Sequence, residues 1–139
     1  MSETKVIGIT AVVSAGLATL LLAGMLGFLL SYHLIPYHHN YSFTVYSDDY
    51  HSIDATFQTG EQWVVSYSSS YSIAAYLLDE YCYQDYLYYG HVSNYIASRS
   101  GSSGSFEYTV SSGGQYHVVF YSSYYAASVS VTTTEYHFS

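Results

Sequence analysis

Basic residues are nearly absent from this chain of 139 residues. It contains two Lys or Arg residues and ten Asp or Glu residues, which gives a formal charge of −8. A protein that binds nucleic acid needs Lys and Arg to neutralise phosphates, so the composition excludes nucleic acid as a main partner. Charged residues make up only 9% of the chain, which is atypical of a cytosolic enzyme, a coiled coil or an acidic disordered tail.

Cysteine is scarcer still. Cys82 is the only one, which excludes an intrachain disulfide, a CxxC redox pair and a thiolate metal cluster. Seven histidines are present, but only His33, His38 and His39 are close in sequence, and Pro36 interrupts the helical spacing that would align them as ligands. The sequence therefore predicts no metal site and no cofactor.

No catalytic motif is recognisable either. The carboxylate pairs Asp48-Asp49 and Asp79-Glu80 are adjacent in sequence, and on an extended chain adjacent side chains point to opposite faces. Serine is abundant, yet no Gly-x-Ser-x-Gly elbow occurs. We therefore expect no catalytic residue and a protein that is not an enzyme.

The first long feature is a run of 25 uncharged residues from Val6 to Leu30. As a helix it would extend roughly 37 Å, enough to cross a hydrocarbon layer of about 30 Å. A cleaved signal peptide is the alternative, but the run is long for one and Glu3 balances Lys5. We predict a retained helix that either spans a membrane or lies in the core of a filament. If it spans a membrane, lipid surrounds residues 6–30 and the N-terminus is cytoplasmic.

Small residues recur along this apolar run. Spacings of the small-xxx-small type allow two helix backbones to approach closely in an apolar medium. The alternative is that Gly and Ala are simply common in membrane helices. The predicted helix-packing positions are Ala11, Ala15, Gly16, Ala23 and Gly27.

After residue 40 the hydrophobic period changes to two. Phe43 and Val45 alternate with polar residues, as do Phe106, Tyr108 and Val110 farther along. Further strands are predicted at 55–57, 62–67, 73–78, 116–120 and 127–138, with a short helix after Asp79 and a loop at 100–104. We predict a mainly β protein, with an N-terminal helix and juxtamembrane segment at 1–39 and an extracellular antiparallel β-sandwich or jelly roll of about 7–8 strands at 40–139.

Two resemblances follow from these patterns. An apolar N-terminal helix joined to a β-rich, Ser-rich head resembles archaeal type IV pilins, although the residues after Lys5 are Val6-Ile7-Gly8 instead of that family's Lys/Arg-Gly processing site. The order of Thr59-Gly60-Glu61, the strand from Ile73 and Gly114-Gln115-Tyr116 looks like the Golgi-dynamics (GOLD) type of β-sandwich. These resemblances imply assembly or binding and no catalysis.

Tyrosine is in excess, with 20 residues in the chain. Tyr offers a large rigid ring and a hydroxyl, and it is favoured where protein surfaces meet. The alternative is that Tyr and Ser replace charged residues on a surface adapted to acid, heat or glycosylation. The predicted assembly surface comprises Tyr88, Tyr89, Tyr124 and Tyr125, and Asn40-Tyr41-Ser42 is an N-glycosylation sequon.

Taken together, these patterns predict a structural protein of a cell or virion surface that forms a homo-oligomer or filament through its apolar helix and tyrosine-rich head. The alternative is a monomeric, membrane-anchored module that binds glycans or serves as an accessory subunit of a membrane complex.

Overall fold

The computed structural model describes residues 33–139, which form one antiparallel sheet of six strands and one short helix. The strands pair in the order β1-β6-β3-β5-β2, and β4 pairs with β3. Within this part of the chain, β1, β2 and β4 each pair with one strand and so have one unpaired edge. In chain order the elements are β1 (Leu34–Val45), β2 (Asp49–Phe57), β3 (Gln62–Asp79), α1 (Glu80–Tyr89), β4 (Ala97–Thr109), β5 (Gly114–Ser122) and β6 (Ala127–Phe138).

The longest strand, β3, gives the sheet its shape. Its first half pairs with β6 as far as Ser69, and its second half pairs with β5 from Ala74 onward. β4 follows both halves, with a shift of register between Ser68 and Ile73. The sheet therefore curls, and its two halves face each other across a common core.

The core lies between these halves. Phe120 of β5 packs against Tyr67 of β3 and Phe43 of β1, with ring centroids 5.5 Å apart in both pairs. Phe57 of β2 lies 5.6 Å from Trp63. Since fully burying a large apolar side chain contributes about 1.5–3 kcal/mol, the alternating inward residues of the strands supply the main stabilising term.

The predicted β-sandwich or jelly roll of about 7–8 strands is wrong, because the structure has six strands in one continuous, open, curled sheet. The predicted strands 62–67 and 73–78 are two halves of β3, and the predicted loop 100–104 lies inside β4. The Ser and Gly residues that indicated loops are small enough to let a paired strand bend. The predicted N-terminal helix lies outside the described residues.

The bend in β4 is held by an arginine. Arg99 donates from Nε to the carbonyl of Ser105 at 2.9 Å and from Nη1 to the carbonyl of Ser98 at 2.7 Å. Its guanidinium carbon lies 4.9 Å from the centroid of the Phe106 ring. Arg99 therefore spans the bend and satisfies carbonyl groups that an edge strand would otherwise expose to water or to another strand.

The short helix predicted after Asp79 is confirmed as α1. The Asp79 side chain caps it by accepting a hydrogen bond of 2.8 Å from the Cys82 backbone N–H, and Gly90 ends it with φ 81°. No side chain of α1 is fully buried. The helix is instead held on the outer face of the sheet by ring contacts, among them Tyr86 with Tyr50, whose centroids are 5.1 Å apart.

β1 begins before the predicted start of the head. The pairs Leu34 with Phe138 and His39 with Thr133 place residues 34–39, which the sequence grouped with the juxtamembrane segment, in the sheet. The opposite end of β1, at Val45, pairs with Ala127. Since a strand rises about 3.3 Å per residue, these two ends of β1 are roughly 36 Å apart.

Candidate functional site

The end of the sheet farthest from Leu34 is built by three segments, the β1–β2 turn at 46–48, the bend of β3 at 69–72 and the β5–β6 loop at 123–126. They expose four tyrosines. We call these three segments, with their four tyrosines, the loop end. Their exposed fractions are Tyr46 64%, Tyr71 47%, Tyr124 82% and Tyr125 60%. Sequence spacing indicated two of the four, Tyr124 and Tyr125.

Hydrogen bonds join the first of these segments to the end of β5, directly before the third segment. The Asp48 backbone N–H donates to the Ser122 carbonyl at 2.7 Å, and the Tyr121 hydroxyl donates to Asp48 Oδ1 at 2.8 Å. The hydrogen bond to the Asp48 carboxylate raises the pKa of Tyr121 to about 12, so this phenol stays protonated and keeps donating.

The bend of β3 is joined to the same loop. The rings of Tyr71 and Tyr125 stack with centroids 4.8 Å apart and planes 19° from parallel. The Ser128 backbone N–H donates to Ser70 Oγ at 2.9 Å. The loop end is therefore supported by the sheet, and two of its four rings, Tyr71 and Tyr125, hold each other in place.

The other two predicted assembly residues lie at the C-terminal end of α1. Tyr88 is 82% exposed and Tyr89 is 61% exposed, and their rings meet edge to face at 4.8 Å. Tyr81 and Leu87 are exposed on the same helix. We call Tyr81, Leu87, Tyr88 and Tyr89 the helix surface.

The predicted helix-packing residues Ala11, Ala15, Gly16, Ala23 and Gly27 lie outside the described residues, as does the predicted lipid contact at 6–30. Within residues 33–139, no helix is both long and apolar enough to span a bilayer. Asn40 of the sequon is exposed on β1, which is an edge strand. Its neighbour Tyr41 packs toward the core, so Asn40 lies on the outward face.

A network of histidines and carboxylates lies near the start of β1. Glu61 is 2% exposed and accepts hydrogen bonds from the backbone N–H groups of Gln58 at 2.7 Å and Phe138 at 2.8 Å. His137 Nδ1 lies 3.0 Å from Glu61 Oε1. Burial raises the pKa of Glu61, but these hydrogen bonds outweigh it and leave the pKa below its ordinary value.

His137 is held between two carboxylates. Its Nε2 lies 2.9 Å from Glu135 Oε1, and its ring stacks on Phe57 with centroids 5.2 Å apart. Burial lowers the pKa of His137, but the hydrogen bonds to Glu135 and Glu61 outweigh burial and raise the pKa. Because both ring nitrogens face carboxylates, the protonated imidazolium fits best and no nitrogen is left to ligate a metal or act as a base.

Another histidine, the buried His117, attaches α1 to the sheet. His117 Nε2 lies 2.7 Å from Glu80 Oε1, and the His117 ring stacks on Tyr83 with centroids 3.6 Å apart. The hydrogen bond from His117 lowers the pKa of Glu80, with a further contribution from Gln84. Nδ1 of His117 is buried without a hydrogen bond, 3.8 Å from Asp54 Oδ2.

The described residues offer little reactive chemistry. Burial, together with hydrogen bonding to Asp79, raises the pKa of Cys82 to about 11, so its thiol is not a nucleophile at neutral pH. No group of three or more His, Cys, Asp or Glu side chains between residues 33 and 139 is arranged to hold a metal ion.

No protein-family model matches this chain, and a search of curated proteins found no match.

Sequence reasoning missed several contacts that the fold creates. Glu61 and His137 are 76 positions apart, and no spacing rule connects them. Tyr46 and Tyr71 reach the loop end only because the bend of β3 and the β1–β2 turn lie at the same end of the sheet. The one available signal was the Gly60-Glu61 turn, where a carboxylate beside a glycine turn is well placed to accept backbone N–H groups.

Proposed function

We propose that this protein is a non-enzymatic structural protein of a cell or virion surface whose copies associate with one another. The observation that carries the proposal is the exposure of aromatic side chains on the head, where nine tyrosines are exposed. Tyrosine is enriched where proteins meet, and isolated soluble domains seldom expose many large rings together. The resemblance to archaeal type IV pilins supports the same proposal.

We assign contacts between heads to the helix surface. α1 has no fully buried side chain, yet it carries Leu87 with an exposed fraction of 53% beside three exposed tyrosines. The apolar segment at residues 6–30 would supply the second contact through its small residues, in a membrane or in the interior of a filament. The predicted assembly role of Tyr124 and Tyr125 is tested separately below.

The test uses the full chain in detergent micelles, with the oligomer distribution measured by native mass spectrometry. Tyr88→Ser with Tyr89→Ser should shift the distribution toward monomer, and so should Gly16→Leu or Gly27→Leu, which would hold helices apart. Tyr37→Ser is the matched control, because Tyr37 is 50% exposed but lies on β1. A full-length protein that is monomeric at every concentration, or a control that dissociates equally, would contradict the proposal.

A further inference from the structure

The loop end combines aromatic rings and hydroxyl groups. Four exposed tyrosines are accompanied by the exposed residues Ser47 and Ser123, and Arg99, the only Lys or Arg in residues 33–139, is engaged with the carbonyls of its own strand. We propose that the loop end is a binding site for a neutral glycan, that is, an oligomer or polymer of uncharged hexoses. This inference does not require the copies to associate.

The chemistry of the surface matches the two sides of a sugar ring. A hexose presents a face of C–H groups with a slight positive charge, and the face of a tyrosine ring is negative. Tyr124 contacts no other ring within residues 33–139 and is 82% exposed, so its faces are open to a sugar. The phenol and serine hydroxyls both donate and accept, as the hydroxyl groups of a sugar do.

Part of this surface is also ordered before a ligand binds. Tyr71 and Tyr125 are already stacked, and the Asp48 contacts join the β1–β2 turn to Ser122 and Tyr121 of β5. Binding to Tyr71 and Tyr125 therefore loses little side-chain entropy, which otherwise costs about 0.5–1.5 kcal/mol for each immobilised side chain. Surfaces made of Tyr and Ser on loops supported by a rigid sheet are well suited to adaptable polar recognition.

The negative charge of the head favours a neutral glycan over an acidic one. Residues 33–139 carry nine carboxylates and one arginine, so the head has a net charge of −8 with histidine neutral. An acidic polysaccharide would approach against this charge, and no Lys or Arg side chain at the loop end compensates for it. A neutral glycan meets no such repulsion.

The test passes the full-length protein in detergent micelles over beads that carry mannan, dextran or galactan, with alginate beads as the acidic comparison. We expect retention on at least one neutral polymer, elution by the corresponding soluble sugar and no retention on alginate. Tyr71→Ser with Tyr125→Ser should weaken binding at least tenfold. The matched control is Tyr37→Ser with Tyr95→Ser, two tyrosines that are 50% and 49% exposed but lie outside both the loop end and the helix surface, and it should bind as the unchanged protein does.

Tyr124→Ser provides a second variant that disturbs no stacked pair, in case the double substitution alters the fold, and it should also weaken binding. The proposal is overturned if the full chain binds none of the three neutral polymers, if it is retained as strongly on alginate, or if the control variant at Tyr37 and Tyr95 loses binding equally. It is also overturned if loop-end variants dissociate the oligomer while glycan binding is unchanged, because the loop end would then be a contact between copies.

Discussion

Glu61 is the residue on which the region around the start of β1 depends most. Its buried carboxylate satisfies two backbone N–H groups and one imidazole. Its pKa is lowered, so its stabilising contribution is complete above its ordinary pKa of 4.5 and is lost as the pH falls through the lower folded value. The pKa of His137 is raised, so its contribution is complete below its ordinary pKa of 6.5 and is lost as the pH rises through the higher folded value.

The first prediction is that this network stabilises the fold most between pH 4.5 and pH 6.5. His137→Gln should lower the free energy of unfolding by roughly 1–2 kcal/mol at pH 6, because hydrogen bonds between charged groups are lost. The difference between the two proteins should shrink as the pH rises toward 9. Urea denaturation at a series of pH values measures it, and a difference that stays constant from pH 5 to pH 9 would contradict the prediction.

The second prediction concerns Gly104 in β4. A Cβ atom there would lie 2.8 Å from Cε1 and 2.9 Å from the hydroxyl of Tyr67. Tyr67 is 4% exposed and packs on Phe120, so its ring has no room to move away. Gly104→Ala should therefore lower the free energy of unfolding by about 1–3 kcal/mol, as overpacking does.

Thermal unfolding measures this effect. The matched control is Ser103→Ala, at an exposed position on the same strand, and it distinguishes packing against Tyr67 from a general effect of substitution in β4. Equal melting temperatures for the two variants would contradict the role assigned to the contact with Tyr67.

At the scale of elements, α1 depends on its cap and on ring contacts more than on burial. The third prediction is that Asp79→Ala destabilises the protein by about 1 kcal/mol, because the Cys82 N–H loses its partner at the start of the helix. Hydrogen exchange should become faster in residues 80–89 and stay unchanged in β6. Asp85→Ala, on the same helix but away from the cap, serves as the control, and equal exchange in the two variants would count against the capping role.

The strands and the helix differ in how far the sequence predicted them. Alternation located β5, where Tyr116, Val118 and Phe120 are buried as expected, and the helix after Asp79 was also predicted. The bends of β3 and β4 were not, because Ser and Gly favour loops and permit strand bends for the same reason, their small size. The loop end includes the bend of β3, so the sequence predicted only two of its four tyrosines, Tyr124 and Tyr125, as part of a contact surface.

At the scale of the whole molecule, the single arginine makes the head a one-site substrate for trypsin, which cuts after Lys or Arg. Residues 33–139 contain no lysine, so the only cleavable bond in the head is Arg99–Ser100. That bond lies inside the paired strand β4, and the arginine side chain is hydrogen-bonded to Ser98 and Ser105. A folded head should therefore resist the protease until the β3–β4 ladder opens.

The fourth prediction follows from this arrangement. Release of the fragment 100–139 should be slow in the unchanged protein and faster in Gly104→Ala, in proportion to the stability that this variant loses. Mass spectrometry of a digestion time course measures it, with Ser103→Ala as the control, and rapid cleavage of the unchanged protein under native conditions would contradict the paired geometry of β4. The rate at which this one peptide bond is cleaved thus reports how often the β3–β4 ladder opens, without any attached label.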